Sequence, residues 1–354
     1  MENEVLNSSK TESKERIVSD AKVEKKSIYE LLEEEIMASD MPLEEKNERL
    51  SRLIKARGRR VNILLAGATG AGKSSTVNAL FNMDVAKVGV GVDPETAEII
   101  RYELDNLIIW DTPGLGDGIE ADMEYSELIT RKLSETDENG YPLIDLVLVV
   151  LDSSSKDLGT SYDLINKVII PCFDGEGDGR ILIGLNQADV AMKGKHWDAE
   201  KNIPDDVLMD FLKKKSASVG RRIREATGLD VHPVFYAAGY KEVDGEQCKP
   251  YNLTKLLYYI VKSIPKEKRL AIADHINDDD DNWLYDDEEH DYKTATKKSF
   301  FLTIREYVSD YAESGSYIGA EFLGIPGKAV GFVIGGAVGS VAGFFGAIFG
   351  KKVA

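Results

Sequence analysis

Two closely spaced glycines, a lysine and a hydroxyl form a combination suited to holding phosphate. The stretch GATGAGKS, Gly67 to Ser74, has it and fits G-x-x-x-x-G-K-[ST]. Gly67, Gly70 and Gly72 let the backbone turn tightly, so that successive N–H groups point inward at an anion, and the positive end of the helix that follows adds to the attraction. Lys73 would bridge the β- and γ-phosphates of a nucleotide, and the Ser74 hydroxyl would ligate Mg2+. The candidate cradle is Gly67, Ala68, Thr69, Gly70, Ala71, Gly72, Lys73, Ser74 and Ser75.

Three further stretches follow in an order that suits the same ligand. LIIWDTPG is an apolar run ending in Asp111, then Thr112, Pro113 and Gly114. An acid there would hold a Mg2+-bound water, and the Gly114 N–H can meet a γ-phosphate. Thr96, in VDPETAEI, lies in a polar loop before the second expected strand, where its hydroxyl can close on Mg2+ when the third phosphate is present. LNQAD then places Asn186, Gln187 and Asp189 at a strand end. The Asp189 carboxylate can accept two hydrogens from guanine N1 and the 2-amino group, donors that adenine does not pair in this way. Ala237 and Ala238 follow the last expected strand and could offer a backbone N–H to guanine O6.

These residues need strand ends to hold them. VNILLAG (61 to 67), EIIRYEL (98 to 104), LIIWD (107 to 111), LIDLVLVVLD (143 to 152), RILIGLN (180 to 186) and VHPVFYAA (231 to 238) read as buried strands. Helical patterns intervene at about 73 to 82, 122 to 137, 159 to 170, 205 to 226 and 252 to 264. That alternation predicts an α/β fold with an open sheet and helices on both faces. Ahead of it, Ile28, Leu31, Leu32 and Ile36 recur at helical spacing, and Leu43, Leu50, Leu53 and Ile54 continue a second helix, with Ser39-Asp40 offered as its cap.

Composition narrows the partners. A formal charge of -18 argues against nucleic-acid binding driven by phosphate neutralisation, so no direct DNA binding is expected. Ten of the acids fall in residues 274 to 291 without a single Lys or Arg, which reads as an acidic linker and lacks the glycine and ligand spacing of an EF-hand. Cys172 and Cys248 make no disulfide framework and suit a reducing interior. The first 27 residues are polar and carry no secretory pattern. The four histidines do not cluster at metal-ligand spacing.

Taken in order, GATGAGKS, Thr96, DTPG, NQAD and the Ala237-Ala238 turn resemble the Ras-like P-loop GTPases, and most of all the Era/TrmE-type bacterial GTPases, which include ribosome-binding GTPase domains. The resemblance covers about residues 60 to 265. It implies a Ras-like P-loop NTPase fold with a mostly parallel six-stranded sheet, binding of GTP or GDP with Mg2+, and slow hydrolysis in which Lys73, Thr96 and Gly114 act on the phosphates. Three residues depart from it. Gln187 stands where the family carries a lysine, which alters the packing over the base. Gly70 stands where Era-like proteins often carry an asparagine associated with potassium. Leu115 follows DTPG where Ras-like proteins have a water-orienting glutamine, so intrinsic hydrolysis should be slow or be completed by another group, such as one from a second protomer.

The expected organisation is residues 1–58, a polar start and helical hairpin; 59–265, the GTPase domain; 266–295, the acidic linker; and 296–354, an amphipathic helix near 296 to 311 with a glycine-rich apolar tail. The tail, AVGFVIGGAVGSVAGFFGAIFG (329 to 350), holds 22 residues without a charge. As a helix it would span about 33 Å, enough to cross the hydrocarbon core of a bilayer. Gly327, Gly331, Gly335, Gly339 and Gly343 fall at every fourth position, a smooth stripe on which another helix can pack closely. The tail reads as a segment that contacts membrane lipid or drives homo-oligomerisation, with a buried self-packed hairpin as the alternative. A cytoplasmic switch protein at the inner face of the cell membrane is the leading expectation. A ribosome- or RNA-associated assembly GTPase without membrane contact is the second, and a protein that uses nucleotide only to stabilise its fold is the third.

Overall fold

The computed structural model describes residues 26–81, 99–116, 118–173, 179–239 and 248–308. Thr96, the glycine-rich tail and the last residues of the expected amphipathic helix lie outside the described residues. The N-terminal hairpin is α1 (Ile28–Ala38) and α2 (Leu43–Arg57). A capping box opens α1: Ser27 Oγ accepts from the Tyr29 N–H at 3.1 Å, and the Glu30 carboxylate accepts from the Ser27 N–H at 3.1 Å. Ser39 serves the end of α1 by donating to the Ile36 carbonyl at 2.6 Å, and α2 starts at Leu43 with Pro42 in the N-cap position instead of a Ser39-Asp40 cap.

The domain then runs β1 (Val61–Gly67), α3 (Lys73–Leu80), β2 (Ile100–Leu104), β3 (Leu107–Asp111), α4 (Ile119–Leu133), β4 (Leu146–Asp152), α5 (Gly159–Asp163) continued by a π-helical turn over Leu164–Ile169, β5 (Ile181–Asn186), a short hairpin of β6 (Trp197–Asp198) and β7 (Ile203–Pro204), α6 (Asp206–Thr227), β8 (Val234–Phe235), α7 (Leu253–Ser263), α8 (Arg269–Ala273) and α9 (Tyr292–Val308). Six strands form one sheet in the order β2-β3-β1-β4-β5-β8. Only β2 is antiparallel to its neighbour. β8 is two residues long, against the eight expected from sequence, because Ala237 leaves the ladder to pair with Tyr251.

Every residue of β1 and β5 is buried, as both faces of a parallel sheet require. Successive side chains of β1 serve opposite cores. Ile63 and Leu65 pack with Leu32 of α1, Leu53 of α2, Leu256 and Ile260 of α7, Leu270 of α8 and Phe300 of α9. Leu64 and Ala66 pack with Ile129 of α4, Ile165 of the π-helical turn and Leu212 of α6. The hairpin and the C-terminal helices therefore share one face of the sheet, and α4 to α6 cover the other.

Residues 266–295 do not form a linker. Ile276 and Trp283 are fully buried, and Leu270 and Ile272 join the same core. Asp278 to Asp281 and Glu288 lie toward the surface between these anchors, whereas Asp274, Asp286 and Asp287 turn inward, with the Asp287 side chain buried against Lys255, a division that charge content alone conceals. The segment also caps the end of α3. Asn277 donates its backbone N–H to Leu80 O at 2.9 Å and its side-chain amide to Asn78 O at 2.9 Å, while Asn282 donates to Ala79 O at 3.2 Å. Three carbonyls that a helix end leaves unpaired are thus satisfied from a segment about 200 residues further along the chain.

Asp274 ties the two ends of the described chain together, accepting from the Ile28 N–H at 2.5 Å and from Ser27 Oγ at 2.9 Å. Asp274→Ala should lower unfolding stability by about 1–3 kcal/mol, the range for hydrogen bonds to a charged acceptor. The measurement is a urea transition with the slope unchanged; an unaltered midpoint would show that this contact does not hold the hairpin.

Candidate functional site

The phosphate loop joins the end of β1 to α3, with Gly72 at the helix N-cap. Gly72 has φ +89°, and a Cβ there would lie 2.2 Å from Asn186 Nδ2, so no larger residue fits. Lys73 Nζ donates to the carbonyls of Gly67 at 3.2 Å and Ala68 at 3.4 Å, folded back over the loop it belongs to. Beneath the loop, Thr76 Oγ1 donates to Gly72 O and contacts the Tyr236 hydroxyl, each at 2.7 Å. Burial pushes the Tyr236 phenol far above its usual range, so it stays a neutral hydrogen-bonding group. Tyr236 and Thr76 were missed from sequence. A phenol inside the apolar run VHPVFYAA is the one signal that a buried polar partner was required.

Asp111 ends β3 beside this loop. Its Oδ1 is buried and has no hydrogen-bond partner among the described residues. Burial pushes the carboxyl above its usual range, opposed by the charge of Lys73 and a hydrogen bond from Ser74. A hydroxyl and a half-paired carboxylate at the mouth of a phosphate loop are the donor set Mg2+ uses when it keeps most of its waters and takes the rest of its ligands from phosphate. The residues present fit that ion.

The base side is bound to the phosphate side by two neighbours at the end of β5. Asn186 donates to Ala71 O at 2.9 Å and accepts from the Ala238 N–H at 3.0 Å. Gln187 adopts φ 63° and donates its side-chain amide to Gly70 O at 2.7 Å. The glutamine thus spans to the phosphate loop from the position where the resembled family has lysine. Asp189 is half-buried, and burial raises its carboxyl above the usual range against hydrogen bonds from its own and the Val190 N–H. Ala237 and Ala238, offered from sequence as donors to a base, both have other acceptors: the Ala237 N–H goes to Tyr251 O at 3.0 Å and that of Ala238 to Asn186. The next amide in the chain is that of Gly239.

DTPG lies along the loop. Thr112 Oγ1 donates to Leu65 O at 2.8 Å, Leu115 N–H donates to Gly67 O at 3.3 Å, and Thr69 N–H donates to Leu115 O at 3.1 Å. The Leu115 side chain is 4% exposed and packs into the core with Ala66 and Tyr125. A cavity of about 420 Å3 lies elsewhere, between α6, β8 and α7. Its Lys213 and Lys255 pair with Glu289 at 2.8 Å each, and its Arg224 pairs with Asp230, so it offers little uncompensated charge to a ligand.

A strand-loop-helix phosphate cradle on a six-stranded, mostly parallel sheet defines a P-loop nucleotide-binding domain. Residues 62–174 match the family described as 50S ribosome-binding GTPase, and this part of the chain is a P-loop GTPase domain. Similar proteins include the uncharacterized protein YfjP of Escherichia coli (strain K12), 30% identical over 131 residues, which make up 36% of this chain and 41% of that protein. Another is translocase of chloroplast 101 of Physcomitrium patens, 30% identical over 173 residues, 47% of this chain and 18% of that one. The chain therefore spans about two-fifths or less of the length of these relatives. Among solved structures, a bacterial dynamin GTPase, LeoA from ETEC, is 19% identical with a TM-score of 0.40, over 83% of this chain and 46% of that one.

Two outcomes are expected. A folded-state pKa above the unfolded one gives stability that is complete below the unfolded carboxyl range and is lost as pH rises through the raised value. Asp111→Asn should therefore raise the melting temperature of the nucleotide-free protein at pH 7 and abolish the further rise produced by Mg2+ with GDP; a variant still stabilised in full by Mg2+ would remove Asp111 from the metal site. Gln187→Ala removes one hydrogen bond between the two loops, worth about 1 kcal/mol, and should speed GDP release about fivefold in stopped-flow fluorescence, an effect that must be absent if the bond is incidental.

Proposed function

We propose that this chain binds Mg2+ with GTP, hydrolyses the GTP slowly to GDP, and uses the nucleotide state to control its C-terminal segment. The observation that carries the reading is the buried Oδ1 of Asp111 at the mouth of the phosphate loop, without a hydrogen-bond partner among the described residues and beside Lys73 and Ser74. In this reading the loop N–H groups from Gly67 to Ser75 cradle the phosphates and Lys73 moves from the Gly67 and Ala68 carbonyls to the β- and γ-phosphates. Ser74, Asp111 and Thr96 hold the metal or its waters, and the Gly114 N–H meets the γ-phosphate. Asp189 selects guanine, with Asn186, Gln187 and the Ala237-Ala238 turn shaping the base pocket. The bound Mg2+ supplies charge neutralisation for the phosphates as the terminal bond breaks.

Coupling to the C-terminal segment is supported by the contacts of Asn277 and Asn282 with the last turn of α3. That helix begins at Lys73 and ends immediately before residues 82–98, which contain Thr96. The same C-terminal segment leads through α9 toward the glycine-rich tail. The composition of the tail supports action at the inner face of the cell membrane or self-association. Among the described residues no helix is long and apolar enough to cross a membrane. The family description favours one other reading, a GTPase acting on ribosomal particles without membrane contact.

Phosphate release should be measured with GTP and with ATP, with and without Mg2+, followed by liposome flotation in GDP and in a non-hydrolysable GTP analogue, with and without residues 316–354. The expected result is slow, Mg2+-dependent release from GTP alone, and flotation that needs residues 316–354 and changes with nucleotide. Release from ATP at the same rate would refute guanine selection. Absence of flotation in both states, together with co-sedimentation with ribosomal particles, would transfer the protein to the second reading.

A further inference from the structure

Leu115 is buried and apolar, and its main chain is held on the phosphate loop from both sides, so it cannot orient a water molecule for attack on a γ-phosphate. Asp122, on the helix that follows, faces the Gly116 N–H, which it accepts at 2.8 Å. The side chain that does stand at the meeting of the two loops is Thr69. A Cβ built on Gly114 would fall 2.3 Å from Thr69 Oγ1 and 2.6 Å from Thr69 Cα, so Gly114 lies directly against this residue. The Thr69 backbone is fixed by its hydrogen bond to Leu115 O, yet the residue itself is exposed at the mouth of the loop. Its hydroxyl carries one donor and two acceptor positions, which is enough to hold a water while keeping another partner.

We propose that Thr69 Oγ1 positions the attacking water in the place that Leu115 cannot serve. The proposal rests on the GTPase reading above. A lone pair of the water oxygen forms the new bond to the γ-phosphorus as the bond from that phosphorus to the β,γ-bridging oxygen breaks. The electron pair of the broken bond leaves with GDP, and the proton lost by the water ends on an oxygen of the released phosphate. Thr69 keeps its own proton throughout and accepts a hydrogen bond from the water. Position 114 must be glycine in this arrangement, because a Cβ there would meet both the Thr69 hydroxyl at 2.3 Å and the Thr69 backbone at 2.6 Å.

The test compares the intact protein with Thr69→Ala, Thr69→Val and Thr69→Ser in single-turnover GTP hydrolysis, with GTP and GDP affinities measured in parallel by fluorescent nucleotide titration. Removing one positioning hydrogen bond should slow hydrolysis about tenfold in the Ala and Val variants with affinities within twofold, and Ser should restore most of the rate. Val keeps the branched shape, so a matching loss in Ala and Val isolates the hydroxyl from packing. Unchanged or faster hydrolysis in both variants would overturn the proposal, as would equal losses in affinity and rate, which would make Thr69 a loop-shaping residue only. Wild-type protein that binds GTP but never turns it over would overturn the GTPase reading, and this role with it.

Discussion

The site depends on one buried amide. Asn186 closes the phosphate loop against the base-side turn with two hydrogen bonds, one donated to Ala71 and one accepted from Ala238. Gly72 is glycine because this amide occupies the space of its Cβ. The Asn186 side chain can reach both partners because β1, β4, β5 and β8 run parallel and deliver their carboxyl ends to one edge of the sheet. Ligand chemistry at the carboxyl ends of parallel strands follows from this geometry, since every βα loop opens there.

A second constraint is electrostatic. The two carboxylates of the candidate site are half-buried, and Asp111 Oδ1 is buried outright. Asp111 and Asp189 are both pushed above their usual range by burial, and the hydrogen bonds and the lysine around them offset that only in part. The charged form of such a group is favoured by a nearby cation or by N–H donors. In the framework Asp145 is likewise pushed up by burial, but it is fully partnered, with Lys268 at 2.7 Å and the Asn62 N–H at 2.9 Å.

Much of this was legible in the sequence, and physics explains which parts were. The phosphate loop, Asp111 and Asn186 sit at the ends of fully apolar strands, so a local pattern located them. Local patterns could not show where Leu115 points or that the Ala237 and Ala238 amides were engaged, because those depend on partners up to 52 residues away. The segment 266–295 was misread for a different reason. Averaged composition reported its acids, whereas its structure is set by a few apolar residues, Leu270, Ile272, Ile276 and Trp283. Gln187 was visible as a departure, but its bond to Gly70 O required a left-handed backbone that sequence does not announce.

The bond from Asp274 to the start of α1 spans 246 residues of chain. During synthesis α1 and α2 emerge with an apolar face whose cover, α8 and α9, has yet to be made. That face stays exposed while the whole nucleotide-binding domain is translated, at elongation rates of about 5–20 residues per second. The hairpin is therefore made well before the helices that cover it and is among the last parts of the described chain to find its place.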